Sequence, residues 1–116
     1  MVGMTAYALA HLRTPTINED VLEYLERIQS TMDPFGGRFL VHGTGVEVVE
    51  GAWPGTVVIL EFPDLAAARA WYASPEYRKI LHLRTDHIEG STILVDGVRP
   101  NYQAALTAAA LRRQLG

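Results

Sequence analysis

The chain has 116 residues, 48% of them hydrophobic and 20% charged, with a net charge of −3 and no cysteine. It is long enough for one domain with its own core and too short for two. Its charge attracts neither nucleic acid nor an anionic membrane surface, and without cysteine it has no disulfide framework, thiolate nucleophile or thiolate metal site.

No apolar run approaches the roughly 20 residues that span a bilayer, and no secretion signal opens the sequence. The expectation is a cytoplasmic protein. Residues 5–12 (TAYALAHL) alternate Tyr7, Leu9 and His11 with Ala6, Ala8, Ala10 and Leu12. Both faces are largely apolar, which predicts a strand covered on both sides. Thr16 with Glu19 three residues later has the form of a capping box, and Asn18 is the other candidate cap. Val21, Leu25, Ile28 and Met32 then recur at helical spacing and, with Leu22, form an apolar stripe. Gly36-Gly37 stops that helix, since glycine takes the left-handed conformation a helix end needs.

Residues 38–42 (RFLVH) read as the second strand, continued through 46–49 after a turn or bulge at Thr44-Gly45. A loop with Trp53-Pro54 leads to the third strand, residues 56–62. Asp64 caps a helix that Ser74-Pro75-Glu76 breaks and caps again; Tyr77, Ile80 and Leu81 carry the apolar face onward. Residues 91–95 are the fourth strand, and 102–115 predict an extra C-terminal helix. The expected units are thus a domain over residues 4–98 and a helical extension over 99–116.

This order predicts an α+β fold, a ferredoxin-like βαββαβ sandwich with a four-stranded antiparallel sheet. The helices cover one sheet face. The other is also apolar, and it would exceed the few hundred Å² of contiguous apolar surface that monomers expose. Two sheets packed face to face remove the conflict, so a homodimer through the sheet is expected.

Phe35-Gly36-Gly37-Arg38-Phe39-Leu40-Val41, then Glu50-Gly51 with Trp53, Glu61-Phe62-Pro63, and Ala68-Arg69-Ala70-Trp71-Tyr72 leading to Ser74-Pro75-Glu76-Tyr77 form a specific pattern. It resembles the domain of unknown function 1330 family over roughly residues 4–98, and Arg84 with Ile93-Leu94-Val95 and Gly97 also fits. The resemblance implies the dimeric α/β-barrel superfamily, which houses heme-degrading and quinone-forming monooxygenases, lactone isomerases and dehydratases, and so a dimer and, by analogy of fold, a pocket between sheet and helices or inside the barrel. It transfers no catalytic residue.

Residue chemistry supplies the candidates. His11 and Glu61 lie on the same face of strands that neighbour each other in such a sheet, and a carboxylate beside an imidazole makes a general base. The other reading is a structural pair at the sheet rim. Arg38 and His42 share a face with Leu40; Arg38 either binds a substrate carboxylate or ties the strand to its surroundings. Arg84 follows Tyr77 and Ile80 on an inner stripe and reaches either a ligand anion or Glu61 or Asp86. Trp53 and Tyr72 line a ligand pocket or fill the core and interface. His82 and His87 stand five apart, off the i, i+4 spacing of a helical metal pair. No metal and no cofactor is expected. The functional expectation is a small-molecule-binding protein or cofactor-independent enzyme, the alternative a non-catalytic dimeric module.

Overall fold

The computed structural model describes residues 4–116. Four strands, β1 (Ala6–Leu12), β2 (Arg38–His42), β3 (Thr56–Phe62) and β4 (Gly90–Asp96), are joined by α1 (Glu19–Met32), α2 (Leu65–Ala73) and α3 (Pro75–Thr85), and α4 (Ala104–Leu115) follows. The sheet runs β2-β3-β1-β4 with every neighbour antiparallel. This is the ferredoxin-like α+β arrangement that the element order predicts.

Period-two alternation divides β1 and β3 cleanly. Ala6, Ala8, Leu60 and Phe62 are buried beneath the helices. Tyr7, Leu9, His11, Val57, Ile59 and Glu61 point to the other face, and the register sets Leu9 opposite Ile59 and Ile93. That outer face carries no helix. Leu40 (43%), Ile93 (54%) and Val95 (42%) stand exposed there.

Asn18 rather than Thr16 caps α1: its Oδ1 accepts the Val21 amide at 3.0 Å, while the Thr16 hydroxyl turns back to the Thr14 carbonyl. The buried stripe of α1 is Val21, Tyr24, Ile28, Thr31 and Met32. Leu22 and Leu25 are exposed, so the stripe is rotated by one position from the expected one. A single 3-10 turn, Asp33–Phe35, follows α1, and Gly36 then closes it at φ 72°. Ser74 ends α2 and begins α3 with one hydroxyl, which donates to the Trp71 carbonyl at 2.7 Å and accepts the Tyr77 amide at 3.3 Å.

Two further expectations change. Residues 46–49 form no strand; positions 43–55 are an irregular loop apart from bends. β2 also carries a bulge, for Phe39 pairs with Leu60 and Val41 with Ile59, leaving Leu40 as the inserted residue. The insertion resets the alternation, so Arg38 stays on the outer face while His42 passes to the helix side. In α4 every residue but Ala110 is exposed, Leu106, Leu111 and Leu115 among them.

Candidate functional site

β1 presents Ala6, Ala8 and Ala10 to the helices. Such small side chains on a central strand leave room under α1 that larger neighbours would fill. A cavity of about 320 Å³ occupies this space, bounded by the sheet, α1 and α3. Ala8, Val58 and Leu60 form its floor, and Tyr24, Ile28 and Tyr77 stand over it. At the solvent end lie Ile17, His42 and Gly43, all lining residues that are half-buried or exposed.

The polar groups gather at α3. Tyr77 and Arg84 are seven residues apart, two turns, so both face the sheet from one side of the helix. The Tyr24 and Tyr77 hydroxyls lie 2.7 Å apart, and the Arg84 guanidinium sits over the Tyr24 ring at 5.6 Å from its centroid. Arg84 is only 8% exposed. No carboxylate among the described residues lies within 4.0 Å of it. Burial pushes the Tyr77 hydroxyl well above the usual tyrosine range; Tyr24 adds to this and Arg84 opposes it without prevailing. Burial likewise works against the Arg84 charge, but Tyr24 and Tyr77 more than offset it and the group is held above its ordinary value. The guanidinium is therefore a permanent cation, and its place in the last turn of α3 adds the favourable field of a helix C-terminus.

Of the seven expected site residues, the cavity takes in His42 and Arg84. The expected His11–Glu61 hydrogen bond is not formed. The strands are neighbours, but antiparallel register sets His11 opposite Val57 and Glu61 opposite Tyr7, a separation of about 13 Å at the usual strand rise. His11 instead stacks on Trp53 with centroids 4.0 Å apart and donates through Nε2 to the Pro54 carbonyl at 2.7 Å. Glu61 accepts from Arg38 at 2.8 Å. Both groups belong to the outer face. Tyr72 packs at the edge of Trp71 with Arg78 over its ring, outside the cavity. Arg84 reaches neither Glu61 nor Asp86. His87 pairs with Asp20 at 2.9 Å, and the described residues hold no group of three or more potential metal ligands.

The tyrosine pair escaped the sequence reading. Its signal was present: Tyr24 stands three residues after Val21 and four before Ile28, on the same stripe.

The family model described as Domain of unknown function (DUF1330) matches residues 5–98. The chain belongs to that family. Among solved structures, this DUF1330 protein is similar to the methylated RPA0582 protein of Rhodopseudomonas palustris, with 20% identity, TM-score 0.64, and coverage of 86% of this chain and 85% of that one. It is also similar to SnoaB, a cofactor-independent oxygenase from Streptomyces nogalater, at 13% identity and TM-score 0.58, covering 87% of this chain and all of the other. A dimeric ferredoxin-like protein of unknown function from Thermobifida fusca aligns at 17% identity and TM-score 0.52, covering 82% and 92%. At these identities the likeness is one of fold. No curated protein matches the chain. Among the described residues of this DUF1330 protein no helix is long and apolar enough to cross a membrane.

Proposed function

We propose that the protein is a homodimeric small-molecule-binding protein or cofactor-independent enzyme whose ligand occupies the cavity between the sheet and α1 and α3. The observation that carries this reading is the cavity itself. Interiors of this size of protein are normally close-packed, yet about 320 Å³ is left open beside a buried cation and two hydroxyls. A concave, largely apolar space with a few convergent polar groups is the usual form of a ligand site. The fold is one on which SnoaB is a cofactor-independent oxygenase, which supports cofactor-free oxygenation or an acid–base step such as isomerisation as the reaction. His42 at the solvent end is the titratable group available to move a proton.

The homodimer rests on the outer face. Leu9, Ile59, Ile93 and Val95 make it apolar, and a second copy covering it would bury the roughly 800 Å² per partner of an ordinary interface. Proteins of similar fold from Thermobifida fusca and Jannaschia are dimeric. His11, Trp53, Arg38 and Glu61 are paired among themselves on that face, which supports a structural role for them.

A screen of small carboxylic acids, phenols and lactones, read by methyl NMR, tests the reading. Compounds that bind should shift the methyl signals of Ala8, Leu60 and Ile28. A screen in which binders move only outer-face signals such as Ile93 would overturn it.

A further inference from the structure

The charge inside the cavity is one-sided. Its lining contains no aspartate, glutamate or lysine; Arg84 is the one permanently ionised group there, and His42 is the only other titratable base. A buried cation without an opposite charge is costly, since desolvation is compensated only by pairing and hydrogen bonding. The Tyr24 ring, the Tyr24 and Tyr77 hydroxyls and the end of α3 offset that cost. None of these is an anion, and the planar fork of guanidinium N–H groups matches a carboxylate bidentately.

The tyrosines point the same way. Two hydroxyls carry two hydrogens, and the bond between Tyr24 and Tyr77 uses one. The Arg84 guanidinium, which only donates, engages the hydroxyl oxygens as acceptors, so one O–H is left to donate. A spare hydroxyl donor and a guanidinium without a carboxylate partner among the described residues therefore converge on one end of an otherwise apolar space.

Resting on the reading of the cavity as the ligand site, we infer that its ligand is a small organic carboxylate, with the acid head held by Arg84 and the Tyr24–Tyr77 pair. Its apolar body lies along Ala8, Val58 and Leu60. Amines are rejected by the cation, and neutral isosteres lose the charge-assisted bonds.

Benzoate and hexanoate, their neutral amides, and hexylamine serve as probes, titrated into the wild-type protein and followed by methyl NMR and calorimetry. The carboxylates should bind at least tenfold more tightly than their amides, with hexylamine showing no binding. In Arg84→Met the carboxylate preference should vanish while amide affinity is kept; Arg84→Lys should restore part of it. Amides binding as well as carboxylates to the wild type would overturn the inference and leave the cavity reading standing. Binding of either class with no shift at Ala8 or Leu60 would overturn the cavity reading itself. The wild-type comparison decides the matter even where Arg84→Met fails to fold.

Discussion

Tyr24 and Tyr77, fifty-three residues apart in the chain, meet hydroxyl to hydroxyl at 2.7 Å and join α1 to α3 over the cavity. Both rings are buried. Removing one hydroxyl strands the other, so Tyr24→Phe and Tyr77→Phe should each destabilise the protein by about 1–3 kcal/mol, the cost of an unpaired buried polar group. The double variant should lose less than the sum, because no hydroxyl is then left unpaired. Urea unfolding of the four proteins gives the cycle; strict additivity would mean the bond contributes nothing.

The same pair sets an alkaline limit. Tyr77 is raised in the folded state above its ordinary value of 10.0, so the native protein holds that proton more firmly than the unfolded chain does. The unfolded state loses it first as pH rises, and the linkage then favours unfolding. Stability should therefore be level below about pH 9 and fall through and beyond pH 10, less steeply in Tyr77→Phe. Equal slopes for wild type and Tyr77→Phe would count against a protonated Tyr77 as the cause.

The sheet's outer face yields a test of assembly. Ile59 lies there between Leu9 of β1 and Val41 of β2. Ile59→Asp places a charge at the centre of the proposed interface, where an unpaired buried charge costs several kcal/mol. Sedimentation should find the wild type at twice the 12.8 kDa chain mass and Ile59→Asp at the single-chain mass. A wild type that sediments as single chains at micromolar concentration would remove the homodimer.

Period and capping rules were enough for the strand and helix order, the ferredoxin-like sandwich and the Ser74 break, because each is a local signal. The site was less legible, for three physical reasons. The β2 bulge adds a residue that no alternation pattern announces, and it carries His42 away from Arg38. Sharing a face on adjacent strands does not say at which end two residues lie, so His11 and Glu61 looked close until the register was known. On α1, Leu25 and Tyr24 fit the apolar stripe almost equally by spacing, and packing chose the tyrosine. The Val46–Val49 run has strand-forming residues but no ladder partner, and propensity alone does not make a strand. The cavity had a visible cue in Ala8 and Ala10, whose small size matters only once a helix is known to lie above them.

His11 holds the 43–55 loop to the sheet through the Trp53 ring and the Pro54 carbonyl. His11→Ala should loosen that loop, raising amide exchange around Trp53 and costing about 1 kcal/mol, the worth of one hydrogen bond and an aromatic stack at a partly exposed site. Benzoate binding to the cavity should be unchanged, since His11 points to the opposite face. Lost binding with an intact loop would restore His11 to the ligand site.

Ser74 and Asp64 each cap a helix, but in different surroundings. Asp64 is exposed and its Oδ1 accepts one amide, that of Ala67, at 2.7 Å. Ser74 is buried, and its hydroxyl both accepts the Tyr77 amide and donates to the Trp71 carbonyl. An exposed cap lost to alanine costs about 1 kcal/mol. At Ser74 the alanine also leaves a buried amide and carbonyl without that partner, which water cannot readily replace, so the loss should be nearer 2 kcal/mol. Because the amide freed is that of Tyr77, Ser74→Ala should also disturb the tyrosine pair and weaken benzoate binding, whereas Asp64→Ala should leave it alone. Equal stability losses in the two variants, with benzoate affinity the same in both, would show that the Ser74 break serves only to end one helix and not to place Tyr77 over the cavity.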